Sequence, residues 1–297
     1  MPDDSDLLVV GSIALDKREG PFGKIEEELG GSAVYFALAA SLVLPVKVSA
    51  PVGKDAIDRV AKAFDGHDID ISHVNVIDAP TYRWNAHQEH GRTIDLGSSD
   101  EIYDHWEPDL PEDFGGWAFV GSMRPDRQVA AVKGLHHSAR LLAADAMLSY
   151  VMLQTNEAVD VLRRSAWFFC NHEEYVAFGD GDPEEFRRRW WLDGLVLKSG
   201  AGGVTAYTPD GEVHVPALHK YPAFDTTGAG DALAGGMLAR WLRSGAQRSG
   251  LQDALVCGVA CASLTIEAVG VRGIARATAH MLEKRMAELW ESTKQES

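Results

Sequence analysis

Asp225-Thr226-Thr227-Gly228-Ala229-Gly230-Asp231 stands between a strand-like segment and an amphipathic helix, and it constrains the reading of everything around it. A Gly-Ala-Gly run at a helix start leaves backbone N–H groups clear of Cβ atoms, and those donors together with the helix dipole make an anion site. A carboxylate at the far end, Asp231, is placed to take a proton from a hydroxyl held against that anion. Phosphoryl transfer needs both parts, donors for charge on the transferred group and a base in line with the nucleophile. A lone Gly-x-Gly reads more readily as a capped helix with glycines for close packing. The full string, acidic at both ends, asks for more than that.

Outward from the string, the helix that follows carries Leu233, Met237, Leu238, Trp241 and Leu242 on one face, and Gly245 comes after its end. Two more helices are expected, Leu251 to about Glu267 and Arg276 to Glu291. Upstream the pattern alternates. Leu7–Val10 is a short apolar run, Ser32–Leu44 an Ala- and Leu-rich helix stopped by Pro45, Val46–Val48 a strand and Lys54–Phe64 a helix. Trp117–Gly121, Arg140–Ala144, Ala166–Cys170 and Gly194–Lys198 read as strands with helices at Asp126–Ser138 and Gln154–Arg164 and helix again before Gly194. Val204–Thr208 and Glu212–Pro216 pair across Pro209-Asp210-Gly211. Strand and helix in alternation predict a parallel, doubly wound α/β sheet. Tyr82–Ala86 and Arg92–Leu96 break the rhythm as a hairpin across His-Gln-Glu-His-Gly, and with Gly11–Gly23 they predict a small accessory sheet. No repeat or long linker divides the chain, so one domain over 1–297 is expected, with lid segments at about 12–29 and 80–98.

The 297 residues suffice for one large α/β core, and 45% hydrophobic with 24% charged residues is ordinary for a globular protein. A net charge of −16 argues against a nucleic-acid surface and against adsorption to anionic membrane. An anionic substrate then needs positive potential built locally. The acidic start Met1–Asp6 is unlike a secretory or transit peptide, and no apolar run approaches the ~20 residues of a membrane span, so the cytoplasm is the expected location. Cys257 and Cys261 sit in an apolar helical stretch and read as core, and the histidines, His136-His137 included, show no metal-ligand spacing and read as solvated.

The seven-residue string resembles the second signature of the PfkB, or ribokinase-like, carbohydrate and nucleoside kinase family, and the resemblance extends over nearly the whole chain. Gly30-Gly31-Ser32-Ala33 resembles the paired glycines of the first signature, Asn171-His172-Glu173-Glu174 the Asn-x-x-Glu element, and Lys198-Ser199-Gly200-Ala201-Gly202-Gly203 the Lys-x-Gly-x-x-Gly strand and turn. The resemblance implies a ribokinase-like fold with a β lid and transfer of a phosphoryl group from ATP to a hydroxyl. Asp231 would be the base, and the amides of Gly228, Ala229 and Gly230 the anion hole. Asn171 and Glu174 would orient Mg²⁺ mostly through water; Asn171 reads equally as a helix N-cap. Lys198, Gly200, Gly203 and Thr227 would lie by the nucleotide, with Gly258 farther along. Gly200 and Gly203 read equally as turn residues of positive φ. Family members often bind a monovalent cation such as K⁺, here at Asp225, Thr227 and carbonyls of the Thr265–Gly270 loop.

On the acceptor side the resemblance implies that Asp16 holds two hydroxyls of a sugar and that Gly30 and Gly31 bring amides to it. The family's Asn four residues after the second glycine is replaced by Tyr35, and Ala14-Leu15 stand where an Asn often precedes the Asp. Both changes remove hydrogen-bond capacity. Leu15-Asp16, Pro21-Phe22-Gly23 and Gly30–Tyr35 look like a subgroup of sugar or nucleoside kinases, in which Tyr82-Arg83-Trp84 resembles a lid strand. Trp84 would cover a base or sugar face, or pack the lid; Arg83 would reach a polar group; Arg124 would meet the acceptor, or sit solvated. The expected acceptor is a primary hydroxyl of a nucleoside or furanosyl sugar. The alternatives are a hexose, an inositol or another small alcohol, and, in another class, a catalytically silent sensor. Lid sheets in such kinases often pair between subunits, so a homodimer is a further expectation, with Ile13, Phe22 and Ile25 as its contacts or as lid core.

Overall fold

The computed structural model describes residues 6–20, 23–89, 92–179 and 181–295. Met1–Ser5, Pro21-Phe22 and the His90-Gly91 tip of the expected hairpin lie outside them.

The chain begins with β1 (Leu7–Val10), then turns outward into an antiparallel pair, β2 (Ala14–Gly20) and β3 (Gly23–Gly30). After α1 (Ser32–Ser41) come β4 (Val46–Gly53), α2 (Ile57–Phe64) and β5 (Ile69–Ile77), followed by a second outward pair, β6 (Tyr82–Glu89) and β7 (Arg92–Ser99). The alternation then runs β8 (Trp117–Val120), α3 (Pro125–Leu135), β9 (Leu141–Asp145), α4 (Leu148–Leu153), α5 (Thr155–Arg164), β10 (Trp167–Asn171), α6 (His172–Ala177), α7 (Pro183–Arg189) and β11 (Gly194–Lys198). A hairpin of β12 (Val204–Thr208) and β13 (Gly211–Val215) precedes α8 (Ala229–Arg243), α9 (Leu251–Thr265), α10 (Arg272–Ala275) and α11 (Ala279–Gln295).

Nine strands form the main sheet in the order β13-β12-β11-β10-β9-β8-β1-β4-β5, parallel except at the β11-β12-β13 edge. Strand alternation explains its two packed faces. Leu7 and Val9, Trp117 and Phe119, and Trp167 and Phe169 enter one core with α1, α8, α9 and α11. Their neighbours Leu8 and Val10, Ala118 and Val120, and Phe168 and Cys170 enter the other core with α3, α5, α6 and α7. The apolar runs expected as strands are therefore doubly buried. Trp241 of α8 meets the rings of Trp117 and Trp167 edge-on, at 5.2 and 4.8 Å between centroids. That contact fastens the far half of α8 to two central strands and leaves its first turn, with Asp231, at the sheet's C-terminal edge.

The second sheet, β3-β2-β6-β7, is the expected accessory sheet. Its centre is a parallel pairing of β2 with β6 that sets Asp16 opposite Trp84. The sequence reading took Gly11–Gly23 as the strand segment of a lid stretch running to about 29; the chain makes two strands there, β2 and β3, ending at Gly30. It also passed over β5, whose Asp70, Ser72, His73 and Asn75 dilute an edge strand paired only with β4. Among other departures, the third C-terminal helix begins at Ala279 after the separate turn of α10, and α4 was not anticipated. The cysteines Cys170, Cys257 and Cys261 are free and buried, as core residues should be. Ile13 is fully buried in the main core and Ile25 is half-buried, so Ile13 offers nothing to a subunit contact.

Candidate active site

In an open α/β sheet, ligands gather where the strands deliver their C-terminal ends. Here the strands in a row do so with polar groups: Ser12 after β1, Ser122 after β8, Asp145 ending β9, Asn171 ending β10 and Lys198 ending β11 all line one cleft of about 1240 Å³. The first turn of α8 closes its floor, and the β2–β6 pair of the small sheet roofs one end through Asp16, Tyr82 and Trp84.

Thr227, Gly228, Ala229, Gly230 and Asp231 all line this cleft. Gly228 is the N-cap of α8 with φ 74°, a left-handed conformation that suits glycine. A side chain there would also meet the Tyr35 ring at 2.3 Å. Tyr35, in place of the Asn of the resembling family, therefore packs its ring on the cradle, buried, with its hydroxyl facing no protein partner. The Oδ1 oxygen of Asp231 is buried without a hydrogen-bond partner, and so is Oδ1 of Asp145. Buried polar atoms left unmatched at a cleft are those a ligand is expected to satisfy.

Asp145 and Asp231 form a pair. Burial pushes the Asp145 carboxyl well above its ordinary range, and the neighbouring Asp231 charge pushes it further. Asp231 is also raised by burial, but the Lys198 ammonium and a hydrogen bond from Asp145 hold it down. The proton of the pair accordingly resides on Asp145, and Asp231 is the member that ionises first. Lys198 is the cation of the cluster: desolvation lowers its pKa, yet Glu174, Asp145 and Asp231 together raise it. Its Nζ would come within 2.9 Å of a side chain at Gly230, so that glycine makes room for it. Replacing Lys198 by Met removes the charge that keeps Asp231 acidic, so the acidic limb of the kcat/KM profile should move up by about 1–3 pH units. A pH–rate series on the variant measures this, and an unmoved limb would separate Lys198 from the base.

Asn171 and Glu174 make a reciprocal capping box. The Asn171 N–H donates to Glu174 Oε2 at 2.8 Å, and the Glu174 N–H to Asn171 Oδ1 at 2.9 Å. The N-cap reading of Asn171 is thus realised, and both side chains still line the cleft. Glu174 is buried, which raises its pKa against the pull of Lys198. Gly200 and Gly203 both have positive φ, and a Cβ on Gly203 would strike the Val215 carbonyl at 2.2 Å, so the turn reading holds there while both residues border the cleft.

Asp16 is 2% exposed and lines the roofed end. Burial lifts its pKa to about 7 despite the nearby Arg18, with further upward pressure from Asp225, Glu28 and Asp231. Gly31 lines the same end, while Gly30 backs the Asp16 carboxylate, whose Oδ2 a side chain at position 30 would meet at 2.3 Å. Trp84 lines the cleft with a buried indole N–H that has no partner.

Four expectations are corrected. Arg83 alternates with Tyr82 and Trp84 on β6 and so faces away from the cleft, where it binds Asp55 at 2.9 Å and Glu27 at 3.3 Å. Arg124, just before α3, is held by Asp126 at 2.7 Å and Asp104 at 2.7 Å outside the cleft. Gly258 lies in the α8–α9 contact, where a Cβ would meet the Leu233 carbonyl at 2.7 Å; it serves helix packing, not the nucleotide side. The side-chain oxygens of Asp225 and Thr227 are engaged by the protein itself. Arg18 Nη1 donates to Asp225 Oδ1 and to Thr227 Oγ1, each at 2.6 Å. Sequence reasoning gave no role to Arg18, Asp145 or the Ser12–Ser32 pair, whose hydroxyls lie 3.2 Å apart. Asp145 was read only as lying after a strand on the ligand side of the sheet, without a role; for Arg18 a lone Arg in a charged stretch carried no signal.

The chain matches the model of the pfkB family carbohydrate kinases over residues 6–277. It is 26% identical over 238 residues to an ATP-dependent ribose-1-phosphate kinase of Halopiger xanaduensis, covering 77% of this chain and 78% of the relative. In fold it is similar to the nucleoside kinase of Burkholderia thailandensis in complex with inosine (TM-score 0.80, 19% identity, 96% of this chain and 99% of that one). The nucleoside kinase of Methanocaldococcus jannaschii, a member of the ribokinase family, is also similar (TM-score 0.77, 19% identity, 97% and 100%).

Proposed function

The chain belongs to the pfkB family of carbohydrate kinases, and from that premise we propose that it moves the γ-phosphoryl group of ATP to a primary hydroxyl of an uncharged ribofuranosyl compound, a nucleoside before a free sugar. It is a small-molecule kinase, and relatives acting on ribose 1-phosphate, nucleosides and aminoimidazole riboside support an ATP-dependent nucleoside or sugar kinase. The observation that carries the reading is the Asp231 carboxylate, half-buried at the start of α8, with the cradle on one side and the roofed end of the cleft on the other.

The acceptor enters beneath the small sheet, read as a lid on one catalytic domain. Asp16 accepts two of its hydroxyl protons, Trp84 and Tyr82 cover its flat face, and the Trp84 N–H finds an acceptor there. The reacting hydroxyl lies against Asp231, which takes its proton as the bond to phosphorus forms. The first-turn amides of α8 and the Lys198 ammonium receive charge on the transferred group. Lid closure keeps out water that would otherwise hydrolyse ATP. The oxygen donors of Asn171 and Glu174 suit Mg²⁺ held through water, and that ion, when bound, would neutralise phosphate charge. The open lid edges, β3 and β7, are where a homodimer would form; Leu96 on β7 is 64% exposed.

An uncharged acceptor is favoured by the lining. Among the described residues that border the cleft, the lid strands contribute the carboxylates Asp16 and Asp95 and no lysine or arginine, while Lys198 lies on the other side among Asp145, Glu173, Glu174 and Asp231. A phosphate already on the acceptor would meet negative charge at the lid end. ATP with a panel of nucleosides, free sugars and sugar phosphates, read by mass spectrometry, tests this. The expected product is a nucleoside monophosphate. Turnover of sugar phosphates alone would overturn the choice of acceptor, and tight binding without any product would point to a sensor.

A further inference from the structure

Asp225 and Thr227 are the residues on which the family resemblance would place a monovalent cation, and in this chain a guanidinium lies on both. We infer that Arg18 is the protein's own replacement for that cation, so that phosphoryl transfer here proceeds without K⁺. The inference rests on the kinase reading for its consequence, but its physical basis is independent of it.

Arg18 is 1% exposed and Asp225 1% exposed, and their contact is 2.6 Å long, that of a charge-assisted hydrogen bond. The same nitrogen reaches Thr227 Oγ1 at 2.6 Å. The remaining capacity of Asp225 is also used: Oδ1 accepts the Thr227 N–H at 3.1 Å and Oδ2 the Gly270 N–H at 2.8 Å. Part of the loop expected to supply carbonyl ligands is turned to other work. Its Ile266 carbonyl accepts the N–H groups of Phe224 at 2.7 Å and Asp225 at 3.2 Å, and Gly270 offers a donor. A cation placed among these atoms would displace the guanidinium or sit beside it in a buried region, where two like charges repel strongly.

The replacement does what the ion would do and one thing more. It neutralises Asp225 at the foot of the Thr226–Gly228 turn and so fixes the turn that leads into the cradle. It also comes from β2, two residues beyond Asp16, with Asp16 Oδ2 at 3.8 Å from its Nε. The lid strand that would hold the acceptor is thereby tied to the cradle that would hold the phosphate, a link a free ion could not make.

The test compares KCl with tetramethylammonium chloride at equal ionic strength, using the full chain. The wild-type Tm should agree between the two salts to within about 1 °C, and its rate on an acceptor identified by the panel to within ~2-fold, because a ligand with no site confers no stability. Arg18→Ala should lose at least ~10-fold in rate in tetramethylammonium, having left a buried carboxylate without its partner. Millimolar K⁺ or guanidinium should raise both its Tm and its rate. Arg18→Lys, which keeps the charge, should fall between. Saturable stabilisation or activation of the wild type by K⁺ overturns the inference, and so does an Arg18→Ala protein indifferent to both cations. If that variant does not fold, the wild-type comparison decides alone. Because Tm needs no turnover, a chain inactive on every acceptor would defeat the kinase reading and leave this one still decided.

Discussion

Asp231→Asn should turn over ~10²–10⁴-fold more slowly than the wild type, the usual worth of a general base. The amide matches the carboxylate in size and keeps an oxygen toward the cleft, so the loss measures proton acceptance and not packing. ATP and acceptor KM should change little, since the base matters chiefly in the transition state. Two further readouts identify the cause. The acidic limb of the wild-type profile, set by the ionisation of Asp231, should vanish in the variant. The Asp145 carboxyl, no longer pushed up by a neighbouring negative charge, should titrate lower than before. A variant at full rate would transfer the role of base elsewhere, Asp145 being the nearest carboxyl with an unpartnered oxygen.

How much of this was legible beforehand depended on whether a residue's meaning is local. The doubly buried strands announce themselves as the apolar runs Leu7–Val10 or Ala166–Cys170 because nearly every side chain on a central parallel strand meets a core. β5 did not, because an edge strand keeps polar residues and its strand character comes from a partner that no local pattern shows. The cradle was legible for a local reason too: Gly228, Ala229, Gly230 and Asp231 are consecutive, and their chemistry follows from one helix start. Arg83 and Arg124 were misplaced because an arginine's reach is long and its direction is set by remote carboxylates, Asp55 for one and Asp104 for the other. Arg18 and Asp225 are 207 positions apart and meet only once the small sheet has folded over the large one. Gly258 was a packing glycine in an apolar helix, a role that only the neighbouring α8 reveals.

Asp16→Asn should weaken acceptor use and strengthen the fold, two opposite effects from one buried carboxylate. If Asp16 accepts two hydroxyl protons as a carboxylate, its amide offers weaker bonds, and kcat/KM for the acceptor should drop by about 10²-fold while ATP KM stays put. The stability effect follows from its pKa of about 7 in the folded protein, raised first by burial, against about 3.9 when unfolded. Between those values the folded state binds the extra proton, so stability is full at low pH and declines as pH rises through about 7. Asparagine has no such decline. The Tm of the variant should therefore exceed that of the wild type by a few °C at pH 8, and the gap should close toward pH 4. The wild-type acceptor KM should fall over the same interval, as Asp16 gains the charge with which it binds. A variant with unchanged acceptor KM would remove Asp16 from the acceptor site. One whose Tm difference ignored pH would mean that the cost of burying this charge is met by Arg18 alone.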